Sequence, residues 1–235
     1  MGDSLFYSYC TDRVSAKKIR EVAWRPFFRN DLGSCFFTSS RGPMSPHVSE
    51  RPPKLSVIIN ERSWDRVLAR LKSHPNEASE VVSHGGYGKV LPLHEACQLQ
   101  PPATVVQALV KVHGESAYTK GLWGFLPLHL AVRSNGIEAV AALLDAYPEG
   151  ATAKEEKGKL PIHLACEWGT SVEIIDRLLL SNPESIYVRD NDGKLPMDHA
   201  EEMKDNISNK AHVIAVMECG PAYCAVSQTG ECAEK

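Results

Sequence analysis

Apolar residues recur at helical spacing in three stretches of the chain, and polar residues fill most positions between them. Side chains three or four residues apart lie on one face of an α-helix, so each stretch predicts an amphipathic helix that buries one side. The apolar positions are Val105, Val106, Leu109 and Val110 in the first stretch, Val140, Leu143 and Leu144 in the second, and Ile174, Ile175, Leu178 and Leu179 in the third.

A Leu-Pro step recurs in phase with these helices. The string Leu-Pro-Leu-His begins at Leu91 and Leu126, Leu-Pro-Ile-His begins at Leu160, and Leu-Pro-Met-Asp begins at Leu195, at steps of 35, 34 and 35 residues. Proline fits the first turn of a helix because its missing N–H has no partner there and its φ is already helical. The pattern therefore predicts short first helices that start at Pro92, Pro127, Pro161 and Pro196, the first three over 92–99, 127–134 and 161–168.

Turn signals separate the helices at the same period. Gly124, Gly158 and Gly193 each lie two residues before a Leu-Pro step, where glycine supplies the positive φ that a tight hairpin needs. Thr170 and Glu173 have the spacing of a capping box for the third long helix. The predicted unit is a short helix, a turn, a long helix and a hairpin loop.

This unit resembles the ankyrin repeat, in which Pro-Leu-His opens the first helix at a period near 33 residues. The resemblance covers roughly 55–218 and implies an all-α ankyrin-repeat solenoid of helix-turn-helix pairs joined by hairpin loops. It implies complete repeats at about 84–117, 118–151 and 152–186, with partial capping repeats on both sides. It also implies structural roles for the prolines and for the histidines that follow them, which are His94, His129 and His163.

The sequence departs from the family pattern where the usual Thr before Pro-Leu-His is leucine. The local bond from that Thr to the histidine is therefore lost, while a bond from the histidine to backbone across the turn remains possible. At the ends, Asp198 replaces the histidine in a predicted C-terminal cap, and Asn209 takes a position that is apolar in the complete repeats. Glu95 occupies the position of Leu130 and Leu164, which we interpret as a face that little covers.

Segments outside the repeats carry no repeat signal. We expect 1–54 to be an N-terminal extension that is largely a disordered linker, and 219–235 to be a loose tail. Residues 1–54 carry nine Lys/Arg and five Asp/Glu, whereas the remainder carries seventeen and twenty-four. A formal net charge of −3 argues against a broad basic field for nucleic acid.

Seven cysteines without a Cys-x-x-Cys pair favour free thiols in a reducing compartment. No stretch has the roughly 20 apolar residues that span a bilayer, nor the apolar core of a secretory signal. We therefore expect an intracellular protein, in the cytoplasm or alternatively the nucleus, that does not insert into membranes.

Catalytic and metal-binding patterns are weak. His94-x-x-Cys97 and His163-x-x-Cys166 place metal-ligand types on one helical face, but Val132 takes the cysteine position in the repeat between them. Glu155 and Glu156 lie among lysines, which favours a solvated hairpin tip over an acid–base pair. We expect no enzymatic activity, no cofactor and no metal.

The resemblance places a partner-binding surface at the hairpin tips and the ends of the first helices. We expect the protein to act, as a monomer, as an interaction module or scaffold for another protein, with an apolar patch of Trp123, Phe125 and Trp168. A regulatory or inhibitory subunit of an enzyme or transcription factor is the alternative. The candidate residues are Tyr87, Lys89, Leu122, Trp123, Phe125, Arg133, Lys157, Glu167, Trp168 and Asp192.

Overall fold

A proline opens each first helix of the complete repeats and of the C-terminal cap. The computed structural model describes residues 54–82, 89–203 and 210–219, all of which lie in one compact unit, Glu50–Lys235. The helices are α1 (Leu55–Asn60), α2 (Trp64–Ser73), α3 (Pro92–Gln98), α4 (Ala103–Val112), α5 (Pro127–Arg133), α6 (Ile137–Ala146), α7 (Pro161–Trp168), α8 (Val172–Ser181), α9 (Pro196–Glu201) and α10 (Lys210–Cys219). The three first helices with predicted bounds are thus confirmed to within one residue, and the predicted apolar positions of the long helices lie in α4, α6 and α8.

Short 3₁₀ helices follow α2, α4, α6 and α8 and lead the chain into the next hairpin. Three of them begin at prolines that end the preceding helix, as the sequence predicts. Their bounds are Pro75–Ser79, Gly114–Ala117, Pro148–Thr152 and Pro183–Tyr187.

The turn between paired helices needs one residue in the left-handed region. Gln100 (φ 55°), Asn135 (φ 59°) and Gly169 (φ 61°) take this conformation at equivalent positions of successive repeats. A left-handed residue reverses the chain within few residues, so that the second helix folds back along the first.

The helices form two layers that stack repeat upon repeat. The first helices α1, α3, α5, α7 and α9 pack side by side in chain order, and α2, α4, α6, α8 and α10 form the second layer in the same order. One continuous hydrophobic core lies between the layers. Leu91, Leu126 and Leu160, which replace the usual Thr, are at most 4% exposed and belong to the buried interior, which explains how leucine is tolerated there.

Two local expectations are wrong. Glu95 is buried, with only 6% of its surface exposed, because α1 packs against α3 and covers the face that was expected to be open. The capping box of Thr170 and Glu173 does not form, since Ser171 precedes α8 and the Thr170 hydroxyl instead donates to the carbonyl oxygen of Ala165 at 3.5 Å.

The C-terminal cap closes the described part of the solenoid. Val213, Val216 and Met217 of α10 are buried at its contact with α9 and α8. Within the three described ranges, no helix combines the length and the apolar character needed to cross a bilayer. Asn209 lies outside these ranges, and so do the predicted extension and tail, except for Lys54 and Cys219.

Candidate binding surface

Three histidines fasten the start of each first helix to the hairpin that comes next in the chain. Nδ1 of His129 accepts a hydrogen bond from the backbone N–H of Leu126 at 3.1 Å, and its Nε2 lies 3.2 Å from the carbonyl oxygen of Ala153. Both bonds together fix the neutral tautomer with its proton on Nε2. Equivalent pairs are Leu91 N and Thr119 O at His94 (3.2 and 3.0 Å), and Leu160 N and Val188 O at His163 (3.1 and 3.0 Å).

The surroundings keep these imidazoles uncharged. Burial lowers the pKa of His94, His129 and His163 to about 4, and the hydrogen bonds to backbone carbonyls oppose that shift only in part. Burial also raises the pKa of the Cys166 thiol to about 12 and raises that of Cys97 further. Both ring nitrogens of each histidine are therefore bonded to backbone, and the two thiols stay protonated at neutral pH, which does not suit nucleophilic attack.

In the cap, Asp198 makes only one of the two hydrogen bonds that each of these histidines makes. Its Oδ2 accepts a hydrogen bond from the backbone N–H of Leu195 at 2.7 Å, which is the bond that Nδ1 makes in the complete repeats. A carboxylate has no proton to donate when ionised, so Asp198 lacks the second bond by which each histidine holds a following hairpin.

Buried carboxylates shape the third and fourth hairpins. Glu155 is only 7% exposed and accepts a hydrogen bond from the backbone N–H of Lys159, so the expected solvated pair is wrong for Glu155, whereas Glu156 is exposed. Asp190 is the equivalent residue, and its Oδ1 accepts from the N–H groups of Asp192 and Lys194, both at 2.9 Å. Such acceptors inside the turn fix the direction in which the hairpin tip points.

His199 completes the site around Asp190. Its Nε2 lies 2.8 Å from Oδ2 of Asp190, and its ring centroid lies 5.8 Å from that of His163. Burial raises the pKa of Asp190, but the hydrogen bond from His199 and those from backbone N–H groups outweigh it, and the pKa lies below its usual value. This carboxylate is therefore ionised and links the last hairpin to α9.

Backbone hydrogen bonds join neighbouring hairpins at their tips. The N–H of Glu156 donates to the carbonyl oxygen of Trp123 at 3.1 Å, and the N–H of Asn191 donates to that of Lys157 at 2.9 Å. The hairpins therefore form a continuous row in which the tip residues of successive repeats have fixed relative positions.

Trp123 holds an unusual backbone conformation at the second hairpin. Its φ of 53° is left-handed, and Gly124 follows with a φ of 73°. The left-handed region costs a residue with a side chain about 1–2 kcal/mol, and the equivalent Lys157 and Asp192 do not adopt it. The indole of Trp123 meets the ring of Phe125 edge-on at 6.4 Å and stays 45% exposed.

Trp168 pairs with Arg133 one repeat further on. The guanidinium carbon of Arg133 lies 5.1 Å from the centroid of the Trp168 ring, in a cation–π contact, and 43% of Trp168 is exposed. In the described part of the chain Trp168 makes no ring contact with Trp123 or Phe125. Trp123 with Phe125, and Trp168 with Arg133, therefore form two separate pairs on adjacent repeats.

Two lysine–glutamate ion pairs lie further toward the C-terminus. Nζ of Lys159 lies 2.8 Å from Oε2 of Glu167, and Nζ of Lys194 lies 2.7 Å from Oε2 of Glu202, at equivalent positions. Among the predicted residues, Glu167 is thus already bound within the chain. Lys89, Lys157 and Asp192 are exposed at hairpins, Leu122 is half-buried, and Tyr87 lies outside the described residues.

Phe125 is the predicted residue with the clearest packing role. It is half-buried against the core, and its ring centroid lies 5.8 Å from that of His129. Sequence reasoning missed a row of exposed cations at the start of the hairpins, which are Lys120, Lys154 and Arg189. Their identical position, six residues before the Leu-Pro steps at Leu126, Leu160 and Leu195, was a signal that could have found them.

Comparison with known families agrees with the repeat and its spacing. Residues 93–192 match the family described as ankyrin repeats, in three copies, and no curated protein matches the chain. Ankyrin repeats generally mediate protein–protein interactions and are typically non-catalytic. No group of three or more His, Cys, Asp or Glu side chains that could hold a metal ion occurs among the residues described. Residues 93–192 of this chain therefore belong to the ankyrin-repeat family.

Proposed function

We propose that this protein is a non-catalytic interaction module that binds a partner protein through the second and third repeats. The contact surface consists of the Trp123 hairpin and the C-terminal ends of α5 and α7. The observation that carries the proposal is the exposure of two tryptophans, 45% for Trp123 and 43% for Trp168, on adjacent repeats. Tryptophan and arginine are the residues most enriched among binding hot spots.

The backbone of Trp123 supports this proposal. A left-handed conformation disfavours a bulky side chain, and nearly half of the indole surface gains nothing from burial. A residue kept only for stability is better placed where its side chain is covered, as Phe125 is. The combination of local strain with exposure is typical of residues that act in binding.

The Arg133–Trp168 pair supports it in a different way. The cation–π contact restricts both side chains before any partner arrives, so less side-chain entropy is lost on binding. The Lys159–Glu167 ion pair lies beside it and provides the polar rim that commonly surrounds an apolar contact.

We expect Trp168→Ala and Trp123→Gly to weaken partner binding while changing the fold little. Glycine is chosen at position 123 because it adopts positive φ without strain. Loss of a hot-spot tryptophan typically costs about 2 kcal/mol or more, which is roughly 30-fold in affinity. The assay is affinity capture from the native source with the full chain, together with the thermal midpoint of each variant.

Leu180→Ala is the matched control, because Leu180 is 48% exposed but lies on α8, in the second layer of helices. It should retain the partner at wild-type level. If both tryptophan variants lower the thermal midpoint by many degrees and still capture the partner, the two side chains are structural and the proposal fails.

A further inference from the structure

Three cations form a column along the first arm of successive hairpins. Lys120, Lys154 and Arg189 occupy the same position of three repeats, and all are exposed. Nζ of Lys120 donates to the carbonyl oxygen of Lys154 at 2.9 Å, and Nζ of Lys154 donates to that of Arg189 at 3.3 Å. Each lysine is therefore held directly beside the next member of the column.

Within the part of the chain that the structure describes, no carboxylate lies within 4 Å of these three cations. By contrast, Lys159 and Lys194, on the other arm of their hairpins, are each paired with a glutamate. An ammonium group has three donors and a guanidinium has five. After the bonds to backbone carbonyls, two donors on each lysine and most of those on Arg189 are still available to a ligand.

The spacing of the column selects a kind of ligand. Packed helices lie about 8–10 Å apart, so equivalent residues of adjacent repeats have a similar separation. A peptide in the extended polyproline II conformation has three residues per turn and rises about 3.1 Å per residue, so every third side chain lies on the same face, about 9 Å apart. A segment with carboxylates at every third position thus matches the column in both charge and spacing.

We propose that Lys120, Lys154 and Arg189 bind an extended acidic segment of a partner protein, whose carboxylates recur at every third residue. This rests on the proposed function in that the ligand belongs to a protein partner, but it uses different residues. Exposed tyrosines lie two residues before each end of the column, at Tyr118 (51%) and Tyr187 (62%), and tyrosine and arginine are both enriched at protein interfaces.

A nucleic acid fits the column less well. The chain has a formal net charge of −3, and exposed glutamates precede the three cations by five residues, at Glu115, Glu149 and Glu184. A continuous phosphate backbone would meet this acidic row as well as the basic one, while separate carboxylates can meet the cations alone.

The test measures binding of labelled synthetic peptides to the full chain by fluorescence anisotropy at about 0.01 M salt, where the Debye length is about 30 Å. One capped peptide carries three glutamates separated by two neutral polar residues. A second, of identical composition, carries the glutamates consecutively. A single-stranded tetranucleotide with three phosphates has the same charge and represents nucleic acid.

The protein variants remove three charges each. The column variant combines Lys120→Gln, Lys154→Gln and Arg189→Gln, and glutamine can still donate to a carbonyl. The control variant combines Arg62→Gln, Lys72→Gln and Lys111→Gln, which are exposed elsewhere. We expect the spaced peptide to bind the wild type and the control variant alike, and the column variant about tenfold more weakly, from three exposed ion pairs.

Each other outcome overturns the proposal. Equal affinity for the spaced and consecutive peptides removes the spacing argument. An equal loss of affinity for the spaced peptide in both protein variants indicates a diffuse charge effect. Tighter binding of the tetranucleotide assigns the column to nucleic acid. Trp168→Ala should leave peptide binding unchanged. The proposal for the column can therefore be refuted while the proposal for the aromatic surface is supported, and the converse is also possible.

Discussion

Acid should unfold this protein through its buried histidines, and His129 gives the clearest case. It is fully buried, both ring nitrogens are bonded to backbone, and burial lowers its pKa to about 4. In the unfolded chain the same imidazole titrates near 6.5. As the pH falls below about 6.5, the unfolded state takes up a proton before the folded state does, so the equilibrium shifts toward unfolding.

The two pKa values set the size of the effect. The contribution of His129 to stability is complete above about pH 6.5 and is lost progressively down to about pH 4. Between pH 7 and pH 5 this one residue lowers the free energy of unfolding by about 2 kcal/mol. The full effect is ~3.4 kcal/mol, because the pKa is about 4 in the folded state and near 6.5 in the unfolded state. That is a large fraction of the 5–15 kcal/mol typical of a folded domain.

Urea unfolding at pH 7, 6 and 5 measures the effect. His129→Gln removes the titrating group and should show a pH dependence about 2 kcal/mol smaller than the wild type over this range. Because acidic side chains are common to both proteins, their titration cancels in the comparison.

Parallel pH profiles for the wild type and His129→Gln would refute the reasoning. They would mean that the imidazole titrates alike in both states, and hence that its bonds to Leu126 and Ala153 do not hold it neutral. A lower baseline stability of the variant at pH 7 does not bear on this point, since only the change with pH is compared.

Two further predictions concern single glycines and the cap. Gly158→Ala should destabilise the fold by about 1–3 kcal/mol more than Gly193→Ala, as measured by denaturant titration. A Cβ at position 158 would lie 2.3 Å from Oδ1 of Asn191, whereas one at position 193 meets nothing within 4 Å, and φ is similar at both positions. Equal losses would show that the left-handed backbone alone sets the cost. Deleting 196–235 should lower the thermal midpoint or cause aggregation, because it uncovers apolar faces of α7 and α8, while deleting 220–235 should change it little. Equal midpoints for the two truncations would contradict the capping role.

Local chemistry made the fold predictable. Three local features determine it: a proline at the first helical position, a glycine that must adopt positive φ, and a histidine that bonds nearby backbone. Each acts within a few residues, and the same pattern recurs in successive repeats. Pro127, Gly124 and His129 therefore have the places that the sequence predicts.

The expectations that failed depend on how side chains pack in three dimensions, within a hairpin or between repeats. The burial of Glu95 depends on how α1 packs, and the burial of Glu155 on how its hairpin folds around the carboxylate. The pairing of Trp168 with Arg133 joins residues of two repeats. The pattern within one repeat does not show how neighbouring repeats pack, so the sequence could name candidate binding residues but not the arrangement of their side chains.

The carboxylate of Asp198 gives the array a direction and an end. Each histidine donates one hydrogen bond forward to a carbonyl oxygen of the next hairpin, and the last of these bonds, from His163, ends at Val188. Asp198 accepts a bond from the N–H of Leu195 in its own unit and donates none forward. A repeat of about 34 residues inserted before the cap would have a histidine donor in the preceding repeat and a carbonyl acceptor in the following hairpin. A repeat added after the cap would lack the histidine donor, because Asp198 occupies that position. Growth by duplication is thereby confined to the interior, and the length of the solenoid can change while its last repeat stays the same.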